Sequence, residues 1–140
     1  MTILTAIQRI QALALASSSD LKLAPDTPIT NAAALPISLA HLGSGQSNAA
    51  NSTTNVFIPN ITVSFYFNPS SLQKAFTQID TIIPAFANRL AGDPNLNGTV
   101  DTVVFPITWT DPAAAELGGI DCLLVEFTIP IKTLETPVST

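Results

Sequence analysis

The segment Asp93-Pro94-Asn95-Leu96-Asn97-Gly98 comes nearest to a chemical site in this chain. It matches the first six positions of a calcium loop, in which Asp and Asn side chains offer oxygens and Gly makes the sharp turn. The match stops there. Position twelve is Val104, where a bidentate carboxylate is required, and a strand pattern follows in place of a second helix. A helix exit turning into a strand explains the same residues, because Asn and Gly accept positive φ.

The other reactive side chains are isolated. His41 is the sole histidine and has no second metal ligand or catalytic partner signalled nearby, so it reads as a structural or surface residue. Cys122 is the sole cysteine. It excludes an internal disulfide and suits a reducing compartment, and with no cationic or helix-N-terminal setting it reads as a packing residue. Asp101, Asp121 and Glu126 complete the loose candidates for a polar pocket. No nucleophile elbow, P-loop or dinucleotide fingerprint occurs. Three Asn-x-Ser/Thr triplets begin at Asn51, Asn60 and Asn97, and without a signal-peptide pattern they read as chance. These residues lead us to expect no enzyme activity, no metal and no cofactor.

Composition points to a structural role. Charged residues are 11% of the 140, against about 25% for ordinary soluble domains, while hydrophobic residues reach 46%. Mean hydropathy is +0.39. So few charges solvate an isolated surface poorly, which implies that neighbours in an assembly cover part of it. The net charge is -5, and the cations are Arg9, Lys22, Lys74, Arg89 and Lys132. Five scattered cations do not neutralise a run of phosphates, so tight nucleic-acid binding is not expected. Membrane insertion is not expected either. Gln8, Arg9 and Gln11 interrupt the N-terminal apolar residues, and no basic n-region precedes them.

The elements follow from periodicity. Thr2 to about Ala16 reads as a helix with Ile3, Ile7, Ile10 and Ala14 on its apolar stripe and Gln8, Arg9 and Gln11 facing away. Leu21–Ala34, with Pro25 and Pro28, reads as an extended connector. Leu35–Leu42 reads as a short strand held to an edge or a strand start by Pro36. Gly43–Asn55 is polar and rich in turn formers, and reads as a flexible loop that orders only against another surface. Gly43, Ser44, Gly45, Gln46, Ser47, Asn48, Asn51 and Ser52 in it are the candidate assembly contacts.

Val56–Phe67 alternates as a strand, with Phe57, Ile61, Val63, Phe65 and Phe67 on one face. From Asn68 a long helix follows, with Asn68 as N-cap, Pro69 at the first position and Gly92 as the C′ residue. Leu72, Phe76, Ile79, Ile83, Phe86 and Leu90 alternate spacings of four and three and define its core stripe. Pro84 should kink it. Thr99–Trp109 reads as a strand with Val103, Phe105, Ile107 and Trp109 on one face, and Asp111–Gly119 as a loop. Ile120–Lys132 is the last strand, placing Leu123, Val125, Phe127, Ile129 and Ile131 on the core side, and Leu134–Thr140 reads as a mobile polar tail. The sum is a single small two-layer α+β domain, a roughly four-stranded, mostly antiparallel or mixed sheet covered by two amphipathic helices.

This order resembles the tail terminator (tail-completion) proteins of long-tailed bacteriophages. The resemblance spans roughly Thr2 to Lys132. It rests on the N-terminal helix, the proline-containing connector, the polar loop, the central helix, the turn Leu96-Asn97-Gly98-Thr99-Val100 and the closing Leu124-Val125-Glu126-Phe127-Thr128-Ile129-Pro130-Ile131. It implies a virion protein, assembled in the host cytoplasm, that forms a ring of six copies on the head-proximal end of the tail tube. The implied partners are further copies of itself, the tail tube protein and a head-completion or neck protein, with DNA passing through the lumen without specific binding. Pro84 within the central helix departs from the pattern. A head-closure or neck subunit shares the same composition, and a ligand-binding domain or enzyme would need His41, Asp101, Asp121 or Glu126 to converge.

Overall fold

A computed structural model describes residues 3–22, 24–25 and 35–138. Most of the proline-containing connector, from residue 26 to 34, lies outside the described residues, as do the last two residues of the polar tail. Two helices and a mostly antiparallel six-strand sheet form an α+β fold. The elements are α1 (Ile3–Ser17), β1 (Ile37–Ala49), β2 (Asn55–Phe67), α2 (Leu72–Ala91), β3 (Thr102–Val103), β4 (Thr108–Trp109), β5 (Ala113–Leu117) and β6 (Ile120–Glu135). The main path of the sheet is β1-β2-β6-β3, with β4 and β5 also paired to β6.

Alternation along β2 and β6 builds the core. Ile61, Val63, Phe65 and Phe67 face the helices from β2, and Val125, Phe127, Ile129 and Ile131 face them from β6. Phe86 of α2 meets Phe65 and Phe127 edge-on, with ring centroids 5.1 and 5.0 Å apart. Edge-to-face contact is the geometry that aromatic quadrupoles favour.

The buried stripe of α2 differs from the sequence expectation at its start. Ile79, Ile83, Phe86 and Leu90 are buried as expected, but Leu72 is 57% and Phe76 44% exposed. Ala75 takes the inward place of the first turn instead. Phe76 lies one residue further round, a rotation of roughly 100°. The cap also shifts. Ser71, in an extended conformation, is the N-cap and accepts from the Lys74 N–H, while Asn68 Oδ1 takes the Ser70 N–H in a turn before the helix. Gly92 ends α2 with φ -82°, so it is not a left-handed C′ residue; in this helix exit the positive φ values come later, at Leu96, Asn97 and Gly98. α2 continues through Pro84, which is solvent-exposed.

Gln11 of α1 is a second correction. It is 1% exposed, and its amide donates to the carbonyls of Pro25 and Ser38 while accepting from the Ser38 hydroxyl at 2.7 Å. Full satisfaction of its donors and acceptor removes the desolvation cost of a buried amide.

The polar segment Gly43–Asn55 is not a free loop. β1 extends to Ala49 and pairs with β2 through Ala49↔Asn55, leaving residues 50–54 as the connection. A bulge between Leu42 and Gly45 sets three steps of β1 against two of β2, opposite Pro59. Proline lacks a ladder donor and is tolerated in a sheet at such bulges. Gly45 is required there, because a Cβ would sit 2.5 Å from Pro59 Cα.

Further along, Phe105 and Trp109 are 47% and 53% exposed, so neither is the core residue expected. Instead of one strand, Thr99–Trp109 supplies the two-residue strands β3 and β4, since Pro106 cannot donate to a ladder. Ala113–Leu117, expected as a loop, is β5, joined to β6 through Gly118 and Gly119 at φ 60° and 82°. β6 runs to Glu135, so the tail expected from Leu134 begins two residues later.

Candidate functional site

The candidate assembly contacts sit on a hairpin arm. Gly43, Ser44, Gly45, Gln46, Ser47 and Asn48 belong to the outer half of β1, and Asn51 and Ser52 to the connection at its tip. The arm orders itself. Asn51 Oδ1 accepts from both the N–H and the hydroxyl of Thr53, at 2.8 and 2.7 Å, and the Ser47 hydroxyl and Asn55 amide bond reciprocally across the hairpin. Residues 44–53 are all solvent-exposed. Leu42, Gly43, Gly45, Gln46, Ser47, Phe57 and Pro59 line a shallow, largely apolar groove along it. The outer strand and tip of the arm are thus free on one side, while the inner strand pairs with the end of β6 through Asn55, Val56 and Phe57.

The residues that a catalytic site would need stay apart. His41 is exposed on β1, with Nδ1 3.0 Å from the Leu42 carbonyl. Glu126 lies two strands away on β6, within 3.3 Å of the Ser64 hydroxyl. Asp101 accepts from the Leu134 N–H, a main-chain role that ties the β3 entry to the end of β6. Asp121 is exposed opposite Glu116. Among the described residues, no three His, Cys, Asp or Glu side chains cluster as a metal site.

In the calcium-like turn, both Asp93 oxygens already have protein donors. Oδ2 accepts from Arg9 Nε at 2.7 Å and Oδ1 from the Asn97 N–H at 2.9 Å. Burial alone would raise the Asp93 carboxyl, but the Arg9 hydrogen bond, the Asn97 N–H and the Arg9 charge outweigh it and hold it below its ordinary range. The turn works as a clasp between α1 and the end of α2.

Cys122 packs with Ile37, Leu39 and Leu117 in a small cluster on the sheet face opposite the helices. Burial raises its thiol above the ordinary value, the reverse of what a nucleophile needs. On the same face, burial and the nearby Glu126 carboxylate raise the Tyr66 hydroxyl. Sequence reasoning did not find the Gln11–Ser38 bond or the clasp, because both pair residues far apart in the chain with no shared local pattern.

Among the described residues, no helix is long and apolar enough to cross a membrane. Compared with known proteins, the chain matches no family model and no curated protein.

Proposed function

We propose that this chain is a structural subunit of a bacteriophage tail, a tail terminator whose copies form a ring on the head-proximal end of the tail tube. In that role it stops tube polymerisation and presents a face to a head-completion or neck protein. The hairpin arm carries the reading: it is ordered, and its outer strand and tip, residues 44–53, are all exposed, the form expected of an element that lies against a neighbouring copy. Exposed Leu42, Phe105, Trp109 and Leu134 add apolar surface of the kind that association buries. The dispersed acidic groups and net charge of -5 suit a lumen that DNA traverses without sticking. The order of elements that resembles the tail terminators supports the same role.

Light scattering across a concentration series, with negative-stain images of the same fractions, tests it. The expected result is six-fold rings with an open channel. A chain that stays monomeric at every concentration and does not add to purified tail tubes would remove the reading.

A further inference from the structure

Trp109 and the groove of the arm stand at opposite margins of one sheet face. β6 holds β2 on one side and β4 on the other, since Thr128 pairs with both Thr62 and Thr108. Trp109 lies on the helix-covered face, its ring centroid 5.5 Å from that of Phe127. Leu42 lies on the same face at the far margin, paired with the core residue Ile61. Along the strands the two are nearly level. Trp109 pairs with Phe127, and Leu42 reaches Ile129 through Ile61, an offset of two strand residues or about 7 Å.

The margins differ in shape. Trp109 is 53% exposed while its ring packs on Phe127, so it projects as a braced knob. The groove opposite holds about 270 Å³, bounded by Leu42, Phe57 and Pro59, with Gly43 and Gly45 adding no side chain. That is room for one aromatic side chain. The margins are alike in charge. No Asp, Glu, Lys or Arg occurs from Thr27 to Gln73, which includes the whole arm, or from Thr102 to Thr110, which includes the knob. Copies that each carry -5 can meet there without pressing acidic groups together. A self-complementary contact would set knob against knob. A knob at one margin and a groove at the other instead join head to tail, the contact that closes a ring when the rotation allows.

We propose that Trp109 of one copy inserts between Leu42, Phe57 and Pro59 of the next. This rests on the ring reading above and adds the surface that each arm meets: the groove is filled by a second copy of this chain, not by a tail tube or neck protein. A tryptophan seated in a desolvated pocket is a common interface anchor.

Trp109 is the only tryptophan, so its fluorescence reports the contact. In a concentration series of the full chain, its emission should move to shorter wavelength as light scattering shows association. Trp109→Ala and Leu42→Lys, both at exposed positions, should each raise the concentration needed for rings about tenfold or more, the loss of one anchor. Leu42→Lys makes the chain less acidic, so added repulsion does not explain its loss. Phe76→Ala removes an exposed aromatic elsewhere and should assemble as wild type. At a concentration where neither variant forms rings, an equimolar mixture of Trp109→Ala and Leu42→Lys should give pairs and nothing larger. The first keeps its groove and the second its knob, and the pair's shifted emission comes from that one Trp109. Wild-type rings with unmoved emission, Trp109→Ala rings at wild-type concentration, an equal loss in Phe76→Ala or a mixture without pairs would each overturn this contact and leave the ring standing. A chain that neither associates nor adds to tail tubes removes both.

Discussion

Phe86 and Phe127 meet edge-on at the centre of the core with no exposed surface, whereas Phe76 on the same helix is 44% exposed. Removing either of the first two leaves a cavity that rigid neighbours fill poorly. Phe86→Ala and Phe127→Ala should each cost about 3–5 kcal/mol. Phe76→Ala should cost about 1 kcal/mol or less, as surface changes do. Denaturant midpoints of the three variants check this, and a large loss at Phe76 would mean that the stripe expected from spacing is the true one. A second residue-scale consequence is acid sensitivity. The Asp93 carboxyl is depressed in the folded chain, so its contribution is complete above the unfolded value of about 3.9 and is lost as pH falls through the folded value. Thermal midpoints of wild type and Asp93→Asn should therefore differ at neutral pH and converge in acid. A constant gap down to acid would show that the clasp with Arg9 contributes nothing through charge. Reading Leu72 and Phe76 as core from spacing alone fails for a physical reason: neighbouring stripes on one helix share apolar residues, and tertiary packing decides which stripe faces in.

At the scale of elements, pattern revealed what carried its own periodicity. α1, α2, β2 and the body of β6 all show it, and their bounds agree with expectation to within a few residues. The outer half of β1 shows none, because Gly-Ser-Gly-Gln-Ser-Asn has no apolar alternation and becomes a strand through its partner β2. Ala113–Leu117 fails likewise: a run of alanines with one Glu does not favour a strand, and pairing with β6 imposes it. The arm is thus a nonlocal product, and none of its residues belongs to the main hydrophobic cluster. Deleting Ser47–Phe57 and closing Gln46 to Ile58 with a two-residue Asn-Gly turn removes three β2 pairs to the end of β6, so it should lower the thermal midpoint modestly, leave the helix-covered core folded and abolish rings in negative stain. Rings that persist without the arm would end its proposed role.

At the scale of the molecule, low charge and exposed apolar side chains argue in the same direction. Each copy carries -5, so bringing copies together works against repulsion that salt screens. The light-scattering series proposed above should accordingly show tighter association at high salt than at low salt. The class of the fold was legible because one amphipathic layer must cover another. The candidate site was legible only as a stretch of polar residues, since the arm carries no reactive constellation for spacing to betray.

β6 pairs with every strand except β1, and it follows all of them in the chain. Each partner therefore leaves the ribosome before the strand that completes it. Until β6 emerges, the nascent chain holds Phe65, Phe67 and Phe86 without the Phe127 side of their core, and the β2 edge lacks its neighbour. Completion of this core is thus deferred until β6 has been made. In a crowded polysome producing many copies at once, that interval exposes sticky edges to one another. A chaperone that shields the β2 edge during that interval would raise the yield of folded chain.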